Sequence, residues 1–476
     1  MRDFLPEDVR RRDHVIAIIK RVYERYGFEP LETPAVETLE TLLGKYGEEG
    51  NQLIFKILKR GEHEATGQAD LALRYDLTVP LARVMAEHRA KLPRLFKRYQ
   101  IQPVWRADRP ARGRFREFYQ CDIDAVGSTS PLIEAEQCAA VSDVLVALGF
   151  SDFTIRLNHR QLLTAVLETA NVRREDHGTA LIALDALDKV GWDGLPSEFE
   201  KRGIGPALEG LKNALLPSDV SPAVSKAALE GLRSVGEGAV GQPFRAAEEH
   251  SARALRHGSK AIASLADLEQ RLEGHQAGSQ AVENLKRILD LVQNTSAGGR
   301  LEFDPSLARG LSYYTGATME VNVPDLAGSL GGGGRYDNLV GMFSGESIPA
   351  CGFSLGLERI LVVMGERGMF PPALKVNPAD VLMAVFAEAD LPDVIRAAGS
   401  LRAAGLRVLL YPEADKIGKQ IKYAESRGIP AVAIMGESEI ARGEVAIKLL
   451  AQRRQEVFPL DRAGEGVKAL LGEVLG

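Results

Sequence analysis

Tyr99 to Val126 reads YQIQPVWRADRPARGRFREFYQCDIDAV, and this stretch decides the fold. Residues 99–106 and 115–126 alternate apolar and polar positions, the period of a strand with one buried face. Between them, Asp108 to Arg114 contains Pro110 and Gly113, which predicts a loop joining two antiparallel strands. The charge is one-sided. Residues 89–116 hold ten Lys or Arg (Arg89, Lys91, Arg94, Lys97, Arg98, Arg106, Arg109, Arg112, Arg114, Arg116) against one acid, Asp108. A guanidinium presents a planar fork of donors matched to phosphate oxygens, so an arginine-rich hairpin suits a nucleotide or an RNA backbone. A solvated basic surface is the competing reading; Trp105, Phe115 and Tyr119 interleaved with the charges weigh against it. On the second strand Gln120, Asp122 and Asp124 are two apart and share a face. They either hold a cationic, hydrogen-bonding ligand or form the solvent side of the strand, and spacing alone favours the solvent side.

Upstream, residues 7–27 predict an amphipathic helix, with Val9, Val15, Ile16, Ile18, Ile19, Val22 and Tyr23 among charges, ended by Gly27. An extended segment with Pro30 and Pro34 follows, and residues 71–75 read as a strand. The whole chain has 476 residues, 45% of them apolar, enough for about three domains with ordinary cores. Its formal charge of −6 excludes nothing about nucleic acid, because a local basic stripe suffices. Cys121, Cys138 and Cys351 are far apart and form no C-x-x-C pair, which argues against a disulfide framework or structural zinc and fits a reducing cytoplasm. The N-terminus is charged at once without an apolar h-region, and no run approaches 18 apolar residues, so neither a secretory signal nor a membrane span is expected.

Downstream, helical sequence rich in Ala, Leu, Glu and Arg runs from about 172 to 296, with breaks expected at Gly191, Gly194, Pro196, Gly203 and Pro217. Strand-like, glycine-rich sequence resumes at 301–360, so the helices read as an insertion in a β-rich domain. Arg309-Gly310-Leu311-Ser312-Tyr313-Tyr314-Thr315-Gly316 precedes four consecutive glycines, Gly331 to Gly334. Such a run lets backbone approach a ligand or turn sharply, though glycine runs are more often flexible loops. Gly352 to Ile360 reads as a strand passing into a helix, with Arg359 in its early turns. No phosphate-binding G-x-x-x-x-G-K-[ST] loop and no dinucleotide fingerprint is present. After a linker around Phe370 to Pro378, strands at Asp380 to Phe386, Arg407 to Tyr411 and Ala431 to Met435 alternate with helices. This βαβαβ rhythm predicts a small parallel or mixed sheet.

Together these elements resemble the class II aminoacyl-tRNA synthetases. The stretch Tyr26-Gly27-Phe28 to Thr33-Pro34 is similar to motif 1, a dimer-interface element. Val104 to Phe118 is similar to motif 2, which binds ATP and the acceptor end of tRNA, and Gly352 to Ile360 to motif 3, whose arginine, here Arg359, grips ATP phosphates. The Arg309 to Gly316 segment resembles the R-G-L-D-Y-Y signature of the histidyl family. Leu73-Arg74-Tyr75-Asp76-Leu77-Thr78-Val79-Pro80 resembles the matching segment of its eukaryote-like branch. The resemblance implies an α+β catalytic domain, an antiparallel sheet flanked by helices, at 1–171 and 300–370. It further implies a helical insertion at 172–299, a linker at 371–379 and a C-terminal α/β anticodon-binding domain at 380–476. Lys416 to Ala424 carries the likeness of that last domain.

The implied activity is ATP-dependent activation of L-histidine, with Mg²⁺, to histidyl-adenylate, then transfer to tRNA(His), by a cytoplasmic homodimer. The implied histidine-binding residues are Asp76, Leu77, Thr78, Arg106, Gln120, Asp124, Arg309, Tyr313 and Tyr314. Within that set Asp76, Thr78 and Gln120 hold the α-ammonium, and Asp124 and Tyr314 address the two ring nitrogens. Arg106, Asp108, Arg116 and Arg359 are implied to bind ATP, Arg106 and Arg309 to act in catalysis, and Arg112 and Arg114 to meet tRNA. No protein-bound metal cluster is expected. Ser312 departs from the family's usual Asp, which predicts weaker support of Arg309. The rival reading is a non-catalytic, histidine-binding regulatory paralogue. Such proteins generally lack the anticodon domain and the ATP-binding arginines, and this chain carries both.

Overall fold

The larger sheet grows from the hairpin expected at its centre. The computed structural model describes residues 1–61, 66–215, 265–308, 313–371, 374 and 377–475. In chain order the strands of its first part are β1 (Glu29–Pro30), β2 (Val36–Thr38), β3 (Lys56–Leu58), β4 (Ala69–Leu73), β5 (Phe96–Trp105) and β6 (Glu117–Val126). Then come β7 (Thr154–His159), β8 (Leu301–Phe303), β9 (Ala317–Asn322), β10 (Gly331–Arg335) and β11 (Ala350–Gly356). Eight of them form one sheet in the order β1-β5-β6-β11-β10-β9-β7-β8, and β2-β4-β3 form a small second sheet. The five central pairings, from β5–β6 through β7–β9, are antiparallel; the edge strands β1 and β8 pair in parallel.

Alternation gives the large sheet two unlike faces. Cys121, Ile123, Phe353, Leu355, Met319, Val321, Leu157 and Ile155 point one way and are buried. The helix Leu132–Ala147 covers this face: Gln137 donates to the Cys351 carbonyl at 2.7 Å, and Cys138 sulfur lies 3.3 Å from Met319 sulfur. The helix Gln276–Gln293 packs beside it and buries Gly278, Ala281, Val282, Leu285, Ile288, Leu289 and Val292, a spacing of three and four that marks one helical stripe. The helix Pro6–Arg25 buries Val15, Ile18, Ile19, Val22 and Tyr23, and ends where Gly27 takes φ 73°.

Two sequence expectations are corrected here. Gly191, Gly194 and Pro196 do not break the helical region, because one helix runs through them from Leu187 to Lys201. Interior glycine costs about 1 kcal/mol and proline about 3. Complete burial of Leu195 and Phe199 on that helix offsets much of the penalty. The glycine run is not a loop either, since Gly331 to Gly334 lie within β10 in the middle of the sheet. Side chains are excluded there by crowding. A Cβ at Gly331 would fall 2.2 Å from the Ser354 carbonyl oxygen, and one at Gly333 2.0 Å from that of Gly352.

The chain divides into two compact units, residues 1–4 with 11–369, and residues 5–10 with 370–476. The second contains β12 (Val381–Met383), β13 (Val408–Leu410), β14 (Ala431–Ile434), β15 (Glu444–Leu449) and β16 (Arg454–Pro459), ordered β13-β12-β14-β15-β16. The first three run parallel, as the rhythm predicts, and β14-β15-β16 are antiparallel. Val381, Met383, Ala431 and Ala433 pack on one side with helices Leu391–Ala403 and Ala463–Leu475. Leu382 and Val432 pack on the other with Ala424 of helix Ile417–Ser426. The β15–β16 hairpin has no sequence forewarning. Its turn contains no Gly, Pro or Asn, and Arg453 itself takes the left-handed conformation, φ 51°.

Candidate active site

The second face of the large sheet is polar and buried. Register places Arg98, Asp124, Gly352 and Gly334 side by side across β5, β6, β11 and β10, with Gln100, Asp122, Ser354 and Gly332 as the next row and Gln102, Gln120 and Gly356 beyond. Arg98 is 0% exposed, Asp122 and Asp124 are each 2%, and Gln120 is 8%. The reading of Gln120, Asp122 and Asp124 as a solvent-facing row is therefore overturned, and Arg98 leaves the supposed basic surface to become a core cation. Arg98 Nη2 lies 2.8 Å from Asp124 Oδ2, 3.9 Å from Asp122 Oδ2 and 3.2 Å from the Leu77 carbonyl it donates to. The Tyr336 hydroxyl donates to Asp124 Oδ1. Burial drives both carboxyls upward against the opposing pull of Arg98, Asp122 to about 7.

Several buried polar atoms on this face have no hydrogen-bond partner: Arg98 Nε and Nη1, Gln100 Oε1, Gln120 Oε1, Asp124 Oδ2, Asn158 Oδ1 and Thr318 Oγ1. Asp124 Oδ2 is close enough to Arg98 to be ion-paired but is off the hydrogen-bonding axis, so it keeps acceptor capacity. Buried polar groups in native proteins are nearly always satisfied, and a cluster of exceptions marks where a polar ligand belongs.

The loop between β4 and helix Thr78–Glu87 brings Asp76, Leu77 and Thr78 to the same place. Asp76 Oδ1 accepts from the Tyr46 hydroxyl and from the Val79 amide, both at 3.0 Å, and Oδ2 accepts from the Tyr313 hydroxyl at 3.4 Å. The Val79 amide is one of the unpaired donors of a helix start, so the carboxylate anchors the helix as well as facing the pocket. Burial raises the Asp76 carboxyl, partly countered by Val79, Arg106 and the two tyrosines. The Thr78 side chain bonds Tyr313. Tyr313 and Tyr314 rings stand 5.0 Å apart, Tyr313 and Tyr336 5.9 Å. Tyr314 fills the space left by Gly334, where a Cβ would come within 2.8 Å of its ring.

The arginine hairpin borders this pocket. Arg106 donates from Nε to the Tyr75 carbonyl at 3.0 Å and lies over the Tyr75 and Phe118 rings at 4.3 and 5.2 Å, which holds its guanidinium plane. Arg114 forks onto Asp108 at 2.8 and 3.1 Å, and Arg116 donates to the Asp108 carbonyl at 3.2 Å. Arg359, the third residue of the motif 3 helix Leu357–Glu366, packs on the hairpin's Gly113 and donates to the Ser329 carbonyl. Arg112 instead reaches away, pairing with Glu366 and donating to the Asp325 carbonyl at 3.0 Å. The structure thus gathers Asp76, Leu77, Thr78, Gln120, Asp124, Tyr313 and Tyr314 into one pocket, and Arg106, Asp108, Arg114, Arg116 and Arg359 along the hairpin. Arg309 and Ser312 lie outside the described residues.

Sequence reasoning missed Arg98, Arg74, Tyr46 and Tyr336. Arg98 falls within the basic run of 89–116, although its strand position, two before Gln100 on the polar alternation, separates it from the loop arginines. Arg74 is buried and donates to the carbonyls of Pro103 (2.9 Å), Thr33 (2.6 Å) and Pro34 (3.1 Å), tying β5 to the motif 1 segment. Nothing local signals Tyr46 or Tyr336, whose roles depend on partners 30 and 212 residues away.

Comparison with known proteins agrees with this architecture. The family model described as histidyl-tRNA synthetase matches residues 1–360, and that of the anticodon binding domain matches 380–470. A histidine–tRNA ligase of Porphyromonas gingivalis is 40% identical over 97% of this chain and 96% of its own length. One of Gloeobacter violaceus is 39% identical, over 98% and 96%. The crystal structure of histidyl-tRNA synthetase from Nostoc sp. PCC 7120 superposes with a TM-score of 0.72 at 30% identity, covering 98% of this chain and 97% of that one. With a class II catalytic sheet, its three motifs in place and a C-terminal anticodon-binding domain, the chain belongs to the histidyl-tRNA synthetase family.

Proposed function

We propose that this chain is a histidine–tRNA ligase acting as a cytoplasmic homodimer on L-histidine, ATP and tRNA(His). The observation that carries the reading is the buried Gln120–Asp122–Asp124 row, whose two carboxyls feel the charge of Asp76, directly beside the arginine hairpin. An amino acid with a hydrogen-bonding ring fits this face, with its ammonium at Asp76, the Thr78 hydroxyl, the Leu77 main chain and Gln120. Its ring would lie between Asp124 and Tyr314. Such a site rejects apolar isosteres, since they would leave several buried polar atoms unpaired.

In the first step a carboxylate oxygen of histidine attacks the α-phosphorus in line and pyrophosphate leaves. No side-chain nucleophile is needed, so the protein contributes position and charge. Arg106 and Arg309 are assigned to the carboxylate and α-phosphate, and Asp108, Arg116 and Arg359 to the nucleotide. Among the described residues no group of three or more His, Cys, Asp or Glu could cage a metal. Mg²⁺ bound together with ATP would supply further neutralisation of the phosphoryl charge. In the second step the terminal ribose hydroxyl of tRNA attacks the activated carbonyl, with Arg112 and Arg114 assigned to the acceptor end. The regulatory-paralogue reading is disfavoured by the anticodon-domain match at 380–470 and the retained arginines.

The test is ATP–pyrophosphate exchange with each of the twenty amino acids. Exchange with histidine alone is expected; no exchange alongside measurable histidine binding would shift the assignment to a regulatory protein.

A further inference from the structure

The ring end of the pocket is over-supplied with negative charge. Asp122 and Asp124 sit two residues apart on β6, almost fully buried, and among the described residues Arg98 is the one cation in ion-pair contact with either. Its guanidinium is committed to Asp124 at 2.8 Å and stands 3.9 Å from Asp122. The other groups facing the pair are neutral or acidic. Tyr336 donates to Asp124, Gln120 Nε2 lies 3.4 Å from Asp122 Oδ1, the Ser354 hydroxyl bonds Asp122, and Asp76 adds a further negative field. Tyr23, from the opposite face, feels both carboxylates and stays a neutral phenol. A structural bridge to Arg98 needs one buried carboxylate. A second one would cost several kcal/mol if ionised without a partner, so it holds its proton until a base arrives to take it and meet the charge.

We propose that the surplus carboxylate is the counter-charge for an imidazolium: histidine is held with both ring nitrogens protonated, the second ring proton coming from Asp122. This rests on the histidine reading above and adds the charge state of the bound side chain. The transfer is internally balanced. The Asp122 O–H bond breaks with its electron pair left on the carboxylate, and the lone pair of the unprotonated ring nitrogen takes the proton. Below about pH 7 nothing is exchanged with solvent; above it, where Asp122 is mostly ionised, the same proton is taken up from solvent as the ion pair forms. Asp122 keeps that proton up to near neutrality, since burial pushes its carboxyl to about 7. A free imidazole titrates near 6.5, so its ring nitrogen is a base that a buried carboxyl raised above its usual range can protonate. Once formed, the pair lies in a site shielded from water, where opposite charges attract far more strongly than in bulk. Two ring N–H groups also answer an excess of acceptors, because Asp124 Oδ2, Gln120 Oε1 and Gln100 Oε1 lack donors against Arg98 Nε and Nη1 as the unpaired donors beside them.

The experiment is ¹⁵N NMR of ring-labelled histidine bound to the full chain at about pH 7.5, where the free ring is mostly neutral. Two equivalent, protonated-type ring nitrogens are expected in the wild type. A pyridine-type nitrogen in the wild-type complex would overturn the inference. In Asp122→Asn, which keeps the shape and removes the charge, the bound ring should revert to neutral and affinity should fall about tenfold. An imidazolium that persists in that variant would also count against Asp122 as the source. If wild type gives no saturable histidine signal, the histidine reading itself fails, an outcome distinct from a bound but neutral ring.

Discussion

Gly352→Ala should disable the pocket through a single methyl group. Gly352 lies opposite Asp124 in the β6–β11 register. A Cβ there would stand 2.0 Å from Asp124 Oδ1 and 2.8 Å from its Cγ, whereas ordinary contact begins at 3.4 Å. The carboxylate must therefore retreat by about 1.4 Å, the difference between those two oxygen distances. It has little room to do so, since Tyr336 holds one oxygen and Arg98 sits 2.8 Å from the other. Overpacking a rigid site costs roughly 1–3 kcal/mol, and losing a charge-assisted bond about 1.5–3 more. We expect a total loss of roughly 3–5 kcal/mol in urea unfolding, and a KM for histidine in pyrophosphate exchange raised about tenfold or more. The cycle with Asp124→Ala isolates the cause. With the carboxylate gone, Gly352→Ala should cost less than about 1 kcal/mol, a coupling of some 2–3 kcal/mol. Wild-type midpoint and KM in the single variant would refute the reasoning. An equal penalty in both backgrounds would assign the clash to the β11 backbone instead.

Two further outcomes test other parts of the site. Glu358 is buried, accepts the Tyr119 amide through both oxygens at 2.9 and 3.1 Å, and is pushed by burial to about 7. Its folded pKa exceeds its unfolded value, so between about pH 4.5 and 7 the native state holds a proton the unfolded chain gives up. Stability from this group is present below that window and lost as pH rises through it, at about 1.4 kcal/mol per pH unit. Glu358→Gln keeps the acceptor and cannot ionise. Relative to wild type it should gain up to roughly 3 kcal/mol between about pH 5 and pH 8, and a constant difference in urea midpoints would reject the assignment. Arg112 pairs with Glu366 at an exposed position. Arg112→Ala should leave the unfolding midpoint and pyrophosphate exchange unchanged while raising the KM for tRNA in charging; equal loss in both reactions would place Arg112 at the nucleotide.

Much of this architecture is legible because its signals are local. The helix Pro6–Arg25 repeats apolar residues at three and four, and Gly27 supplies its left-handed stop. The hairpin of β5 and β6 is announced by alternation on both sides of Pro110 and Gly113. Where the reading fails, the deciding interaction is remote or the local rule is outweighed. Pro196 sits inside a helix because Leu195 and Phe199 are buried, and the β15–β16 turn is carried by an arginine that no turn rule selects. Arg98 looks like its nine basic neighbours until Asp124 is known to face it.

The polar row on β6 shows why alternation alone cannot separate a wet face from a binding site. A strand with polar residues at every second position reads the same whether that face meets water or a closed pocket. The answer lies in the row that crosses the sheet at this level: Arg98, Asp124, Gly352, Gly334, Thr318 and Asn158, one residue from each of six strands. Two positions in the row carry opposite charges, and the next two carry no side chain. Into the space those glycines leave, the Asp124 carboxylate leans from one side and the Tyr314 ring from the other. The glycine run and the acid row therefore belong to one buried polar face, where missing side chains on two strands make room for the Asp124 carboxylate and the Tyr314 ring. Slipping β11 by one residue would set Phe353 or Cys351 against Asp124 and take that room, so the same register that builds the apolar core on one face fixes the pocket on the other.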